Sequence, residues 1–442
     1  MKWLKYKNAL ILSCLLAYTL IILLPTLIHG YIYPTNGTDT AMHLSIFKDG
    51  NYWNQLYYAY AIVGYPLKVF GNWNVAFFWF NIVALVLVGY SIYFVLSKIA
   101  NWKAGLLGIG SILLIGGIWS EYQFGEIFNV INIGIIFVWL LYFTVQWYKQ
   151  RKPYQFIIII LLSILFGLFH SSGIYLLPLS IVLLTVYLGY NILNKYKIER
   201  SVIWLLSIVV VISALTTCLI VFRTLHISSA EGWMQRIPIL PWTIMLTVIS
   251  PITVIVLVML LVTRFKINLP LIILYALAII LLALAMGISP YPDRNYYDLV
   301  TVVGLIVACL LGMALERKKD TLSYMMVALI AFGILIGLPN WVDYHSSLEL
   351  PDKQAIEYLN TLDAKTFSCN SMVNSNIYEN YIKEDYEVNG GDVIIERNRE
   401  MGGQIVFHDI SLPSLINGYQ LVKEFKNGKA EVQIWQMTKE KS

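Results

Sequence analysis

The chain has 442 residues, of which 58% are hydrophobic and only 13% charged, with a formal net charge of +5. So apolar a composition excludes an ordinary soluble globular protein and predicts a polytopic membrane protein. The positive charge needs no nucleic-acid partner, since no basic tract carries interleaved aromatics, and four scattered cysteines (Cys14, Cys218, Cys309 and Cys369) supply neither a disulfide framework nor a zinc spacing.

Apolar runs near the roughly 20 residues that cross a bilayer fall at 8–29, 75–97, 104–119, 128–147, 154–170, 173–190, 201–221, 243–263, 269–288, 296–315 and 321–339. They predict about eleven transmembrane helices, the fifth and sixth short and tightly linked. Lys and Arg alternate between loops: Lys2, Lys5 and Lys7 precede the first run, and further clusters surround Lys98, Arg151, Lys197, Arg264 and Lys318. By the positive-inside rule the amino terminus is cytoplasmic and, with an odd number of spans, the carboxyl-terminal segment is extracytoplasmic. The expected location is the cell (plasma) membrane, with the first span retained as an anchor.

The first outside loop, 30–74, is long and holds an aromatic stretch, Tyr52-Trp53-Asn54-Gln55-Leu56-Tyr57-Tyr58-Ala59-Tyr60, suited to a helix lying in the membrane interface. Residues 1–340 form the expected transmembrane domain. Residues 341–442 read as a small α/β domain, with helical periodicity from Asp352 to Leu359, strands at Asp392–Glu396 and Gly403–Phe407, and a hairpin turning at Asn427-Gly428.

Ten acidic residues precede residue 340, and seven of them (Asp39, Asp49, Glu121, Glu126, Glu231, Asp293 and Asp298) fall at or near the outer side. Acidic residues contribute little to topology, so this bias points to an outward-facing reaction centre. Asp39 directly follows the first span, and His43 shares its helix face if the segment is helical. A carboxylate placed there is a candidate general base beside lipid; the structural alternative is a cap, by Thr38 or Asp39, on a helix beginning at Thr40.

Glu121 and Glu126 open the next outside loop, where a second carboxylate can orient the first or hold a metal; a solvated loop is the plainer reading. Arg294, beside Tyr291, matches phosphate geometry but has Asp293 and Asp298 as alternative ion-pair partners. His170 sits at the polar turn between the two short spans, where it lines a cavity or simply bonds a carbonyl. Arg223 is a weaker phosphate candidate.

An inside amino terminus, Asp39 just after the first span, a long first outside loop and an outside carboxyl-terminal module together resemble the GT-C superfamily of integral membrane glycosyltransferases, which includes protein O-mannosyltransferases and lipid A aminoarabinose transferases. The resemblance covers the whole chain as an architecture, on short and degenerate motifs. It implies an all-α polytopic membrane protein, GT-C-like, with the small extracytoplasmic α/β domain appended. It also implies inverting transfer of a sugar from a polyprenyl-phosphate donor to a glycan, lipid or protein acceptor. Asp39 would act as base, with Glu121 and His43 beside it. Arg294, His170, Arg223, Glu126 and Tyr291 would bind substrate. Membrane lipids are implied partners, and a divalent cation (Mg or Mn) is compatible with the scheme. The competing classes are a transporter or lipid flippase, and an inactive GT-C-like scaffold in envelope assembly.

Overall fold

The computed structural model describes residues 3–28, 30, 37–52, 58–114 and 127–169, isolated positions between 200 and 312, and most of 350–438. The amino-terminal part is helical: α1 (Trp3–Ile28), α2 (Gly37–Asp49), α3 (Ala59–Leu67), α4 (Trp73–Ile99), α5 (Trp102–Leu114), α6 (Ile127–Ile131), α7 (Val138–Gln150) and α8 (Pro153–Phe169). Of the interfacial helix expected across Tyr52–Tyr60, residues 53–57 lie outside the described residues; α3 begins at Ala59, and Tyr52 and Tyr60 are both buried. Burial wins at these two rings because they pack against other aromatics instead of lying at an interface.

The longest helix, α4, organises this part. Its start is set by Gly71, whose φ of 72° reverses the chain, and by Asn72, whose Oδ1 accepts from the amides of Asn74 (3.0 Å) and Val75 (3.2 Å). Phe77, Phe78, Ile82, Val88, Ile92 and Leu96 of α4 are buried in one apolar core with residues of α1, α5, α6 and α8. Asn101 caps α5 in the same way, accepting from Lys103 N and Ala104 N.

Between α6 and α7 the helix widens into a π segment, Asn132–Phe137, without leaving helical geometry at either junction. There Gly134 lies so close to Val88 that a Cβ would collide with it, and that glycine is what lets the rod approach α4. Arg151 ends α7 in the left-handed conformation with its guanidinium 4.5 Å from the Trp147 ring centroid. Pro153 then opens α8, where a missing amide costs nothing.

The expectation of an all-α membrane domain with about eleven transmembrane helices is corrected. Among the described residues one helix, α4, is long and apolar enough to cross a bilayer, and the other apolar helices that qualify are 10–17 residues long. Hydropathy measures how apolar a run is, and a short helix buried against its neighbours carries the same signal as a span. The chain also contains a five-stranded mixed sheet.

That sheet belongs to the carboxyl-terminal part: β1 (Thr366–Cys369), β2 (Asp385–Tyr386), β3 (Val393–Arg397), β6 (Tyr419–Asn427) and β7 (Ala430–Met437), in the order β2-β1-β3-β7-β6. Pairing is parallel across β2-β1-β3 and antiparallel beyond. A separate ribbon pairs β4 (Arg399–Met401) with β5 (Phe407–Asp409); residues 402–406, most of the expected strand at 403–407, lie outside the described residues. A helix, α9, spans 350–359 and sets Ala355, Ile356 and Leu359 into a core with Phe367, Val393, Ile395 and Ile434. The β6–β7 hairpin turns one residue later than expected: Asn427 pairs with Ala430 as the end of β6, and the turn opens at Gly428, with φ 59°.

One buried ion pair ties α9 to the sheet. Arg397 Nη2 donates to Asp352 Oδ2 at 2.7 Å, and the Tyr378 hydroxyl donates to Asp352 Oδ1 at 2.6 Å, all three residues being buried. Burial works against the Arg397 charge, but the adjacent Asp352 carboxylate outweighs it and raises the guanidinium pKa. Removing one partner strands the other charge in the core. Asp352→Ala is therefore expected to cost about 3–5 kcal/mol, read as lost hydrogen-exchange protection of the β3 and β7 amides; unchanged protection would refute this role.

Candidate active site on the second helix

The segment carrying Asp39 is helical, and α2 begins at Gly37, so Asp39 lies inside the first turn and does not cap a helix starting at Thr40. A carboxylate in a first turn is favoured by the amide groups and dipole of the helix end. His43 follows one turn later, about 6 Å along the axis.

His43 is 3% exposed. Its Nδ1 is joined to the Tyr60 hydroxyl by a 2.6 Å hydrogen bond. Phe128 presents an edge at 4.9 Å between centroids, and Phe77 lies at 6.3 Å. A further turn along α2, Phe47 stacks on Trp73 at 5.6 Å with planes 8° apart. Three elements besides α2 therefore enclose one face of it: α3 through Tyr60, α4 through Trp73 and Phe77, and α6 through Phe128. His43 is held by this enclosure, and with it the middle of α2.

Of the other predicted residues, Glu121, Glu126, His170, Arg223, Tyr291 and Arg294 lie outside the described residues. Two of them adjoin described positions at the aromatic cluster. Ile127, next to Glu126 in sequence, is buried in the same core, and Phe169, next to His170, packs against Phe128 at 6.0 Å. Among the described residues, no three His, Cys, Asp or Glu side chains are grouped so as to hold a metal.

The far end of α2 touches the carboxyl-terminal part. Lys48 Nζ donates to the Asn380 carbonyl at 2.5 Å and sits 5.6 Å from the Tyr381 ring centroid. Burial lowers the Lys48 pKa, with Asp49 opposing. The helix is thus fixed near its middle by His43 and at its end by Lys48. Burial, reinforced by nearby carboxylates, pushes the Cys369 thiol pKa well up.

Tyr60 and Phe128 have no local sequence signal that pairs them with His43, from which they stand 17 and 85 residues away. Compared with known proteins, the chain matches no family model and no curated sequence.

Tyr60→Phe removes the His43 bond while preserving the ring. The expected loss is about 1–3 kcal/mol in chemical unfolding. His43→Phe combined with Tyr60→Phe should be less destabilising than the two single losses added, and simple additivity would refute the coupling.

Proposed function

We propose that the chain is a membrane glycosyltransferase that moves a sugar from a polyprenyl-phosphate donor to an acceptor at the outer face of the cell membrane, with Asp39 as base. The observation that carries this reading is the anchoring of α2, which holds Asp39 in a first helical turn one turn from the His43–Tyr60 bond. A general base must be held in place before its pKa matters, and this helix is held by buried rings.

A lipid environment is supported by apolar side chains left exposed at helical spacing. These are Trp79, Val83 and Leu87 on α4, and Tyr154, Ile157, Leu161 and Ile164 on α8. Such stripes suit hydrocarbon as the surrounding medium better than water. A division near residue 340, with the carboxyl-terminal part as an outside module beside the acceptor, belongs to the same reading.

In the proposed step the acceptor hydroxyl oxygen attacks the anomeric carbon and Asp39 takes its proton. The bond from that carbon to the donor phosphate oxygen breaks, and the lipid phosphate leaves as an anion. That leaving group needs little protonation, so one base suffices. Glu121 would orient the acceptor, with Glu126 nearby. Arg294 would meet the phosphate, with Arg223, His170 and Tyr291 lining the donor. A divalent cation on the phosphate is compatible with this scheme.

Sugar release from radiolabelled polyprenyl-phosphate sugars tests the proposal. Asp39→Ala should reduce turnover by about 10²–10⁴-fold while donor binding persists, and Arg294→Ala should weaken donor binding. An absence of both turnover and binding with every donor would favour a transporter or an inactive scaffold.

A further inference from the structure

The segment from Ala59 to Phe70, formed by α3 and the 3-10 turn Lys68–Phe70 that extends it, has two apolar faces. Ala59, Tyr60, Val63, Gly64 and Leu67 are buried on one of them. That seat is tight, because the Tyr52 ring lies so close to Gly64 that a Cβ there would collide with it. The opposite face carries Ile62, Tyr65 and Val69, spaced three and four residues apart, with Phe70 beside them. All four are exposed, Val69 at 86% and Phe70 at 64%. A helix that is apolar on its seated face and its open face alike calls for an apolar medium on the open one.

The neighbours indicate which medium. Tyr60, near the start of the segment, packs on Phe47, which also meets Trp73 and Phe77 of α4. Phe70, at its end, is joined to Trp73 by Gly71 and Asn72 alone. Both ends therefore sit at the first two turns of α4. That helix is the one among the described residues long and apolar enough to cross a bilayer. Its 27 residues extend about 40 Å at 1.5 Å per residue, close to the thickness of a bilayer with its polar layers. The start of such a helix lies at the level of the lipid headgroups, where aromatic rings and lysines are favoured. Lys68 is exposed and is the only charged residue between Ala59 and Phe70, and its sign suits lipid phosphate. We propose that residues 62–70 form a membrane-surface contact. Ile62, Tyr65, Val69 and Phe70 enter the boundary between headgroups and acyl chains, and Lys68 stays in the headgroup layer. This contact does not depend on the transferase reading.

Nitroxide collision rates test the contact, measured on the full chain in vesicles of phosphatidylcholine and phosphatidylglycerol. Ile62→Cys, Tyr65→Cys, Val69→Cys and Phe70→Cys are spin-labelled one at a time, with the four native cysteines replaced by alanine. Lys423→Cys, on the exposed strand β6, is the water-facing reference. At the four segment positions oxygen, which concentrates among acyl chains, is expected to collide more often than a water-soluble nickel chelate, with that order inverted at position 423. Nickel reaching the segment as readily as it reaches position 423 would mean water on this face. Exclusion of both reagents would mean cover by protein, from this chain or a second copy, and either result overturns the proposal. Should the cysteine-free chain not fold, the wild-type chain decides in the same vesicles doped with a lipid that carries a photoreactive diazirine just below its headgroup. Cross-links at Tyr65, Val69 or Phe70 are then expected, and cross-links confined to other segments would overturn the contact.

Discussion

A buried hydrogen bond between His43 and Tyr60 links α2 and α3 in the amino-terminal part. An imidazole buried among Phe77 and Phe128 needs a polar partner, and Tyr60 supplies one while presenting an otherwise apolar ring to the core. Meeting that need brings α3 back against α2 and places both beside α4 and α6. The rings around them, Phe47 on Trp73 foremost, then fill the space with contacts whose geometry leaves α2 one position.

The carboxyl-terminal part obeys the same rule with charges in place of neutral groups. Asp352 satisfies Arg397 and Tyr378 together, so α9 meets the sheet in one register. Lys48 then connects this part to α2 through a backbone carbonyl and an aromatic face, both tolerant of small shifts. Asp39 thus lies on a helix that both halves of the molecule hold.

Features that depend on neighbours in sequence were legible. The Asn427-Gly428 pair marks a hairpin, and it is Gly428 that takes the positive φ of the turn; the periodicity from Asp352 marks a helix that forms over 350–359. The i, i+4 relation of Asp39 and His43 needed only that the segment be helical, which it is. Features that depend on partners far along the chain were not legible. Tyr52 and Tyr60 belong to a stretch that looks interfacial, yet packing against Phe47 buries them both. The span count went wrong for a related reason: a helix such as α8 is apolar because one face packs in the core and the other is exposed apolar surface, and hydropathy does not separate the two.

The amino-acid sequence by itself determined that the chain is rich in apolar runs, that its last hundred residues differ in kind, and that Asp39 and His43 stand four residues apart. Those are consequences of composition and short-range geometry, which act within a few residues. Only the tertiary structure decided that His43 is a buried anchor and that Tyr60 and Phe128 enclose it. Which polar groups meet is decided by how helices distant in sequence pack, because the cost of burying each group falls on the assembled core and not on the segment that carries it.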